Sequence, residues 1–365
     1  MGELIINESI NDICIYTKWI LIFVNLYLVF YKHDNNGTGY ISLMLYVLLF
    51  CVFYIPQNGD VIGYFNLYKT GNVSGHLEPF YEWTINAIPQ GFFYWRSVIW
   101  GLAMFFIILT FKKLNIEAGY ATISFLSFSL LQNFYYLRND LAFSILFFSI
   151  VHIIYLRYNH ISKYLIILYM IIALSSYFLH KSMPLYLVLS AIALYFILKK
   201  KNFYILILIL PVIFFSYKWI ATTFLGYNIW IDSEDTVNYV MDTMNSDGNL
   251  WSKSSVLGKL NLLLTFLPSI YLFIKVPKIL RYKDTLEEQY MLYFLIMTFL
   301  IAVISFICLF QISEKLHFRF WLTSLFPFTF FISLYVKKYH KRNETKTFYV
   351  LVVLNWISTF IQTFL

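Results

Sequence analysis

Charge is scarce in this chain. Asp, Glu, Lys and Arg make up 13% of its 365 residues, about half the share of a soluble globular domain. With 60% hydrophobic residues and a mean hydropathy of +0.68, this excludes an ordinary water-soluble fold. Cysteine is nearly absent. Cys14, Cys51 and Cys308 each lie in or beside an apolar run, with neither a pairing pattern nor metal-ligand spacing, so no disulfide framework or zinc site is expected. Glycine (13) and proline (8) are too few for the broken helices of a solute transporter, and no internal repeat suggests one either. Neither GxxxxGK[ST] nor GxGxxG occurs, so nothing points to nucleotide as an energy source. A basic signal-peptide start is also missing. Glu3, Glu8 and Asp12 stand in its place, and no small-residue cleavage site follows.

What the chain has instead is long apolar runs. Windows of roughly 17–25 apolar residues give about 12 spans, at 13–31, 41–56, 93–111, 118–136, 140–156, 163–179, 183–198, 202–221, 257–275, 289–310, 318–336 and 347–365. The expected fold is all-α: a single multispanning membrane domain over residues 1–365. Aromatic residues reach 21%, part of them suited to interfacial belts of Tyr and Trp.

The net charge of +8 has a topological cause rather than a nucleic-acid partner. One set of short loops holds most of the 27 Lys and Arg, among them Lys112, Lys113, Lys199, Lys200, Lys201, Lys275, Lys278, Arg281, Lys337, Lys338, Lys341 and Arg342. By the positive-inside rule that side is cytoplasmic. The opposite side carries fewer cations but two long segments, 57–92 and 222–256. A site is expected there, because loops on a rigid scaffold carry function.

Ionisable residues gather at the outward span ends. Arg138 closes one span, and Asn139 and Asp140 open the next. A guanidinium pairs with phosphate through two bonds. His180 ends a span just before Lys181 and Ser182; imidazole moves protons near neutral pH. Arg319 sits among Phe318, Phe320 and Trp321, and Arg96 follows Phe-Phe-Tyr-Trp. In the first long segment Asp60, Glu78 and Glu82 are candidate bases, and residues 79–90 fit a short interfacial helix. In the second, Asp232, Glu234, Asp235, Asp242 and Asp247 alternate with Tyr227, Trp230, Tyr239 and Trp251, the mixture a sugar groove uses. Each residue also has a plainer explanation. Arg138 can snorkel to the interface, and Arg96 and Arg319 can be aromatic-belt anchors. His180 can be a boundary histidine, and the carboxylates can be solvated loop groups.

Laid out in order, these residues resemble the EpsG-like family of Wzy-type bacterial polysaccharide polymerases. The resemblance covers about residues 45–335. It rests on Asp60-x-x-x-Tyr64, Glu78-Pro79-Phe80, Arg138-x-x-Leu141-Ala142, Phe178-x-His180-x-Ser182 and a late Arg319 before an aromatic span. The family's Arg-Gln-x-Leu-Ala has Asn139 for the Gln here. Its Phe-His-x-Ser-Ala is opened by one residue and followed by Met183-Pro184. The family's arginine after the second span is missing from Ile55-Pro56-Gln57-Asn58-Gly59.

The resemblance implies a GT-C-like membrane glycosyltransferase of the bacterial inner membrane, acting on undecaprenyl-diphosphate-linked oligosaccharides on the periplasmic face, as in O-antigen synthesis. Arg138, Arg319, Arg96 and Lys181 would bind the diphosphate, and His180, Glu78 or Asp60 would take the proton of the attacking hydroxyl. No cofactor or metal is implied. A chain-length regulator and a flippase of the same pathway are the implied partners, alongside membrane lipid. A lipid-linked oligosaccharide flippase and an O-antigen ligase are the alternative readings. A flippase should carry charge through mid-bilayer, where this chain has almost none.

Overall fold

A computed structural model describes residues 8–27, 38–54, 60–70, 77–126, 137–180, 182–199, 205, 285–311 and 314–339. Among them the chain is all-helical, with no strand. It divides into two compact units, Met1–Leu187 and Val188–Leu365. The spans expected at 202–221, 257–275 and 347–365, the loop 222–256 and Lys181 lie outside the described residues.

The first unit contains α1 (Glu8–Tyr27), α2 (Thr38–Phe53), α3 (Asp60–Thr70), α4 (Pro79–Ala87), α5 (Phe92–Lys113), α6 (Ala118–Ser124), α7 (Leu137–Tyr158) and α8 (Lys163–Ser175). A 3-10 turn, Ser176–Phe178, ends α8, and α9 (Met183–Leu198) begins within this unit and continues into the second. The second unit also holds α10 (Leu286–Gln311) and α11 (Glu314–Tyr339).

Among the described residues, three helices are long and apolar enough to cross a membrane: Phe92–Lys113, Arg138–Tyr158 and Leu286–Cys308. At 1.5 Å per residue, the 22 residues of α5 reach about 33 Å, enough for a hydrocarbon core about 30 Å thick. Gly39–Cys51, Lys163–Phe178 and Met183–Leu198 are shorter apolar helices.

The outward surfaces are as apolar as the inward ones. On α2, Ile41, Leu45, Leu49 and Phe53 form an exposed stripe at four-residue spacing, while Leu43, Tyr46, Val47 and Phe50 are buried. On α8, Tyr164, Leu165, Leu168, Ile171 and Leu174 are exposed. A helix apolar all round has no face made for water; its outer face suits lipid. Inside, small hydroxyls sit on their own helix. Thr110, Ser149, Thr298, Thr329 and Ser333 each donate to the carbonyl four residues back, at 2.7–2.9 Å. That satisfies them without a partner helix.

Helix α5 packs between α2 and α7 in the first unit. The start of α2 is tied to the α5–α6 connection. Tyr40 donates to the Ile116 carbonyl at 2.7 Å, and Thr122 to the Gly39 carbonyl at 3.0 Å. The approach at Gly39 is close: an added Cβ would lie 3.0 Å from the carbonyl carbon and Cβ of Ala118, so Ala118 would have to give way by a few tenths of an ångström. This is the small-residue approach that lets membrane helices close up.

Helices α10 and α11 form a hairpin. Thr285 and Glu288 make a reciprocal capping box. The Glu288 N–H donates to Thr285 Oγ1 at 3.3 Å, and the Thr285 N–H to Glu288 Oε2 at 3.2 Å. The same carboxylate accepts from Lys338 at 2.6 Å, and Glu287 pairs with Lys337 at 3.4 Å. Acids in a first turn and lysines in a last turn each oppose the helix dipole.

Candidate functional site

The site grows from three pieces of sequence that α5 brings together. The segment 57–92, read from sequence as a long loop, contains α3 and α4. On α3, Tyr64 and Tyr68 are one helical turn apart and turn toward α5. Trp95 is the hub, with ring centroids 6.4 Å from Tyr64, 6.3 Å from Tyr68, 6.3 Å from Tyr81 and 5.9 Å from Phe92. Its indole N–H donates to Thr84 Oγ1 on α4 at 3.0 Å. Tyr68 donates to the Ile88 carbonyl and accepts from the Gly91 N–H at 3.0 Å. Gly91 has φ +142°, a conformation that favours glycine, so the α4–α5 turn is closed by a tyrosine hydroxyl and a glycine.

Glu78 is the residue before α4. Pro79 at the first helical position needs no backbone donor bond, and Glu78 makes no side-chain cap bond. Its carboxylate turns away from its own helix, and Arg138 donates to it. Arg138, in the first turn of α7, donates from Nη1 to Glu78 Oε2 at 2.7 Å and from Nε to the Tyr64 hydroxyl at 2.6 Å. Its guanidinium carbon lies 5.2 Å from the Tyr64 ring centroid. Tyr81, fully buried, donates to the Arg138 backbone carbonyl at 3.3 Å. Burial, the nearby Glu78 carboxylate and Tyr64 push the Tyr81 hydroxyl well above its usual range, so it remains a donor. Main chain and side chain of Arg138 are thus both fixed.

The ion pair is asymmetric. The Glu78 side chain is 4% exposed and that of Arg138 is 22%. The fork's remaining N–H groups have no acceptor among the described residues. A planar cation held at two points, with donors left over, is arranged to take an anion.

His180 follows the 3-10 turn, which packs against α7. Its Nδ1 accepts the Ser182 backbone N–H at 3.0 Å and lies 2.6 Å from Ser182 Oγ. A nitrogen that accepts a backbone N–H carries no proton, so the neutral ring holds its proton on Nε2. In this tautomer the Nε2 of His180 is a donor, where the sequence suggested a base.

Arg96 is placed elsewhere. It is 1% exposed and donates from Nη1 to the Tyr54 carbonyl at 2.7 Å and the Cys51 carbonyl at 3.2 Å. These carbonyls end α2, where a helix has no intrahelical donors to offer. The guanidinium caps that helix and is covered by protein, which closes it to a diphosphate in this arrangement. Asp60 opens α3, and its side chain lies outside the described residues. Arg319 belongs to α11 of the second unit, its side chain also outside them.

Sequence reading passed over Tyr81, Trp95 and Tyr68. A signal for Tyr81 existed in Glu-Pro-Phe-Tyr-Glu-Trp, a helix start with Pro at its first position. Among the described residues no group of three or more His, Cys, Asp or Glu is arranged to hold a metal. Comparison with protein-family models, with curated proteins and with solved structures returned no match to this chain.

Proposed function

We propose that the chain is a polysaccharide polymerase: a membrane glycosyltransferase that joins undecaprenyl-diphosphate-linked repeat units, of O-antigen type, on the periplasmic face of the bacterial inner membrane. The reading includes about 12 spans of the length a bilayer requires and a GT-C-like arrangement. The observation that carries it is the Arg138 fork, anchored by Glu78 and Tyr64 and partly exposed, with N–H donors left over.

In this reaction the acceptor sugar's hydroxyl attacks the anomeric carbon of the donor glycan. The bond from that carbon to the diphosphate oxygen breaks, and its electron pair leaves on the diphosphate. Arg138 stabilises the charge that develops there. The hydroxyl proton passes to a carboxylate, for which Glu78 and Asp60 are candidates. His180, with its proton on Nε2, suits the leaving group better than the attacking one. Bond energy in the lipid diphosphate drives the transfer, so nucleotide is not consumed.

The test uses purified protein in detergent with the lipid-diphosphate repeat unit that accumulates in cells deleted for this protein. A product ladder spaced by whole repeat units, lost in Arg138→Ala, is the expected result. Bound but unpolymerised substrate would overturn the reading in favour of a flippase or ligase.

A further inference from the structure

Helix α7 is almost wholly enclosed. From Leu141 to Leu156 every residue is buried except four, Ile145, Phe148, His152 and Tyr155. Spacings of three, four and three put these on one face of the helix, so the partly open surface of α7 is a single stripe. Both neighbouring helices reach it. From α5, the Phe106 ring lies 5.3 Å from that of Phe148, and Lys113 Nζ lies 3.2 Å from the centre of the Tyr155 ring. From α8, the Tyr169 ring stacks on His152 at 4.6 Å and lies 5.9 Å from Phe148. The stripe is the floor of a groove walled by α5 and α8. Leu102 and Phe105 on α5, and Leu165 and Leu168 on α8, are exposed, so the walls carry on into an apolar, lipid-suited surface.

Polarity is graded along this groove. Ile145 and Phe148 are apolar. His152 follows, its Nδ1 donating to the Phe148 carbonyl at 2.8 Å, which leaves its ring as a flat wall. Tyr155 and Lys113 close the groove where α5 and α7 end. Lys113 makes no ion pair among the described residues, and neither do Lys112, Arg157 and Lys163 around it. Glu117 is the one acid in the connections 114–117 and 159–162. The lysines at the end of α11 differ, since Lys337 and Lys338 are each paired with a glutamate. We propose that the groove holds one molecule of an anionic phospholipid, its phosphate beside Lys113 and an acyl chain along Phe148 and Ile145. Charge complementarity selects this occupant. The Tyr155 ring takes one side of the ammonium and leaves N–H donors for a phosphate. A peptide would bring backbone groups that the apolar floor cannot satisfy. The order of the floor, cation then aromatic then aliphatic, is also the order of headgroup and chain. Tyr155 stands about 25 Å along α7 from Arg138, so this lipid site is independent of the polymerase reading.

Native mass spectrometry of the whole purified protein tests it, with phosphatidylglycerol or phosphatidylcholine of the same chains added to the detergent. The wild type is expected to retain one phosphatidylglycerol about 5-fold more tightly than phosphatidylcholine, the worth of one lysine near a lipid phosphate. Lys113→Gln should erase that preference. Lys112→Gln removes the same charge from the next residue, outside the groove, and should change retention by about 2-fold or less, as for an exposed charge. Ile145→Trp fills the floor without touching the cation and should weaken both lipids alike. Equal retention of the two lipids by the wild type overturns the proposal. So do equal losses in Lys112→Gln and Lys113→Gln, which would mark a diffuse basic rim instead of a site. Unchanged retention of both lipids in Ile145→Trp overturns the placement of the chain, and it decides the matter even if Lys113→Gln fails to fold.

Discussion

Replacing Arg138 by Lys keeps the charge and removes the fork. Nε and Nη1 reach two acceptors on different elements, Tyr64 of α3 at 2.6 Å and Glu78 before α4 at 2.7 Å. One ammonium can follow the carboxylate and must then leave the tyrosine. A hydrogen bond to a charged group contributes about 1.5–3 kcal/mol, and partial exposure of Arg138 argues for the low end. Arg138→Lys should then cost about 2 kcal/mol of stability. Tyr64→Phe removes the hydroxyl but keeps the ring beside Trp95, and should cost about 1.5 kcal/mol. In the Lys background the bond from position 138 to that hydroxyl is already gone, so the second change should cost less than it does alone. The double variant is expected to lose between about 2 and about 3.5 kcal/mol, a coupling of up to roughly 1.5 kcal/mol. Denaturant titration of the four proteins in one detergent measures it, with transferase rate read in parallel. Losses that add to within about 0.5 kcal/mol would refute the two-point clamp, as would full activity in Arg138→Lys.

Other expectations follow from the same geometry. Arg96→Ala strands the carbonyls at the end of α2 and removes a large buried side chain. It should cost about 3–5 kcal/mol and reduce the folded fraction while leaving KM unchanged in what remains, as thermal unfolding and kinetics on the folded fraction will show. Burial holds the Tyr81 phenol above its usual range, so the folded state binds that proton more tightly than the unfolded chain. The stability it contributes is present below about pH 10, the ordinary phenol value, and declines above it; the difference in unfolding between wild type and Tyr81→Phe across pH 8–11 measures the effect. His180 should show the Nε2-protonated tautomer by nitrogen NMR of labelled histidine, and Ser182→Ala should weaken that preference.

Much of the frame could be read from hydropathy alone. The span expected at 183–198 coincides with Met183–Leu198, and that at 93–111 lies within Phe92–Lys113. These windows are dominated by burial of apolar side chains, which sequence reports directly. The short helix expected near 79–90 is α4. Pairing was not legible. Arg138 and Glu78 are separated by 60 positions, and sequence offered them separate duties, clamp and base. Their contact depends on the Glu78 side chain reaching away from α4, which it precedes but does not cap. Arg96 misled for the opposite reason. An arginine after four aromatics reads as an interfacial anchor, and only the close passage of α5 beside the last carbonyls of α2 shows what it caps. The Thr-Leu-Glu-Glu that opens α10 was a legible capping signal that the apolar count passed over.

That capping box has a consequence in time. Glu288 and Lys338 are 50 residues apart, whereas Glu288 and Thr285 are three apart. At about 5–20 residues per second, synthesis leaves Glu288 waiting some 3–10 seconds for its lysine. During that interval the acid at the mouth of α10 is held only by its neighbour's backbone and hydroxyl. The local bond is a placeholder: it keeps the helix end defined on a half-made chain until the far end of the hairpin arrives to claim the charge.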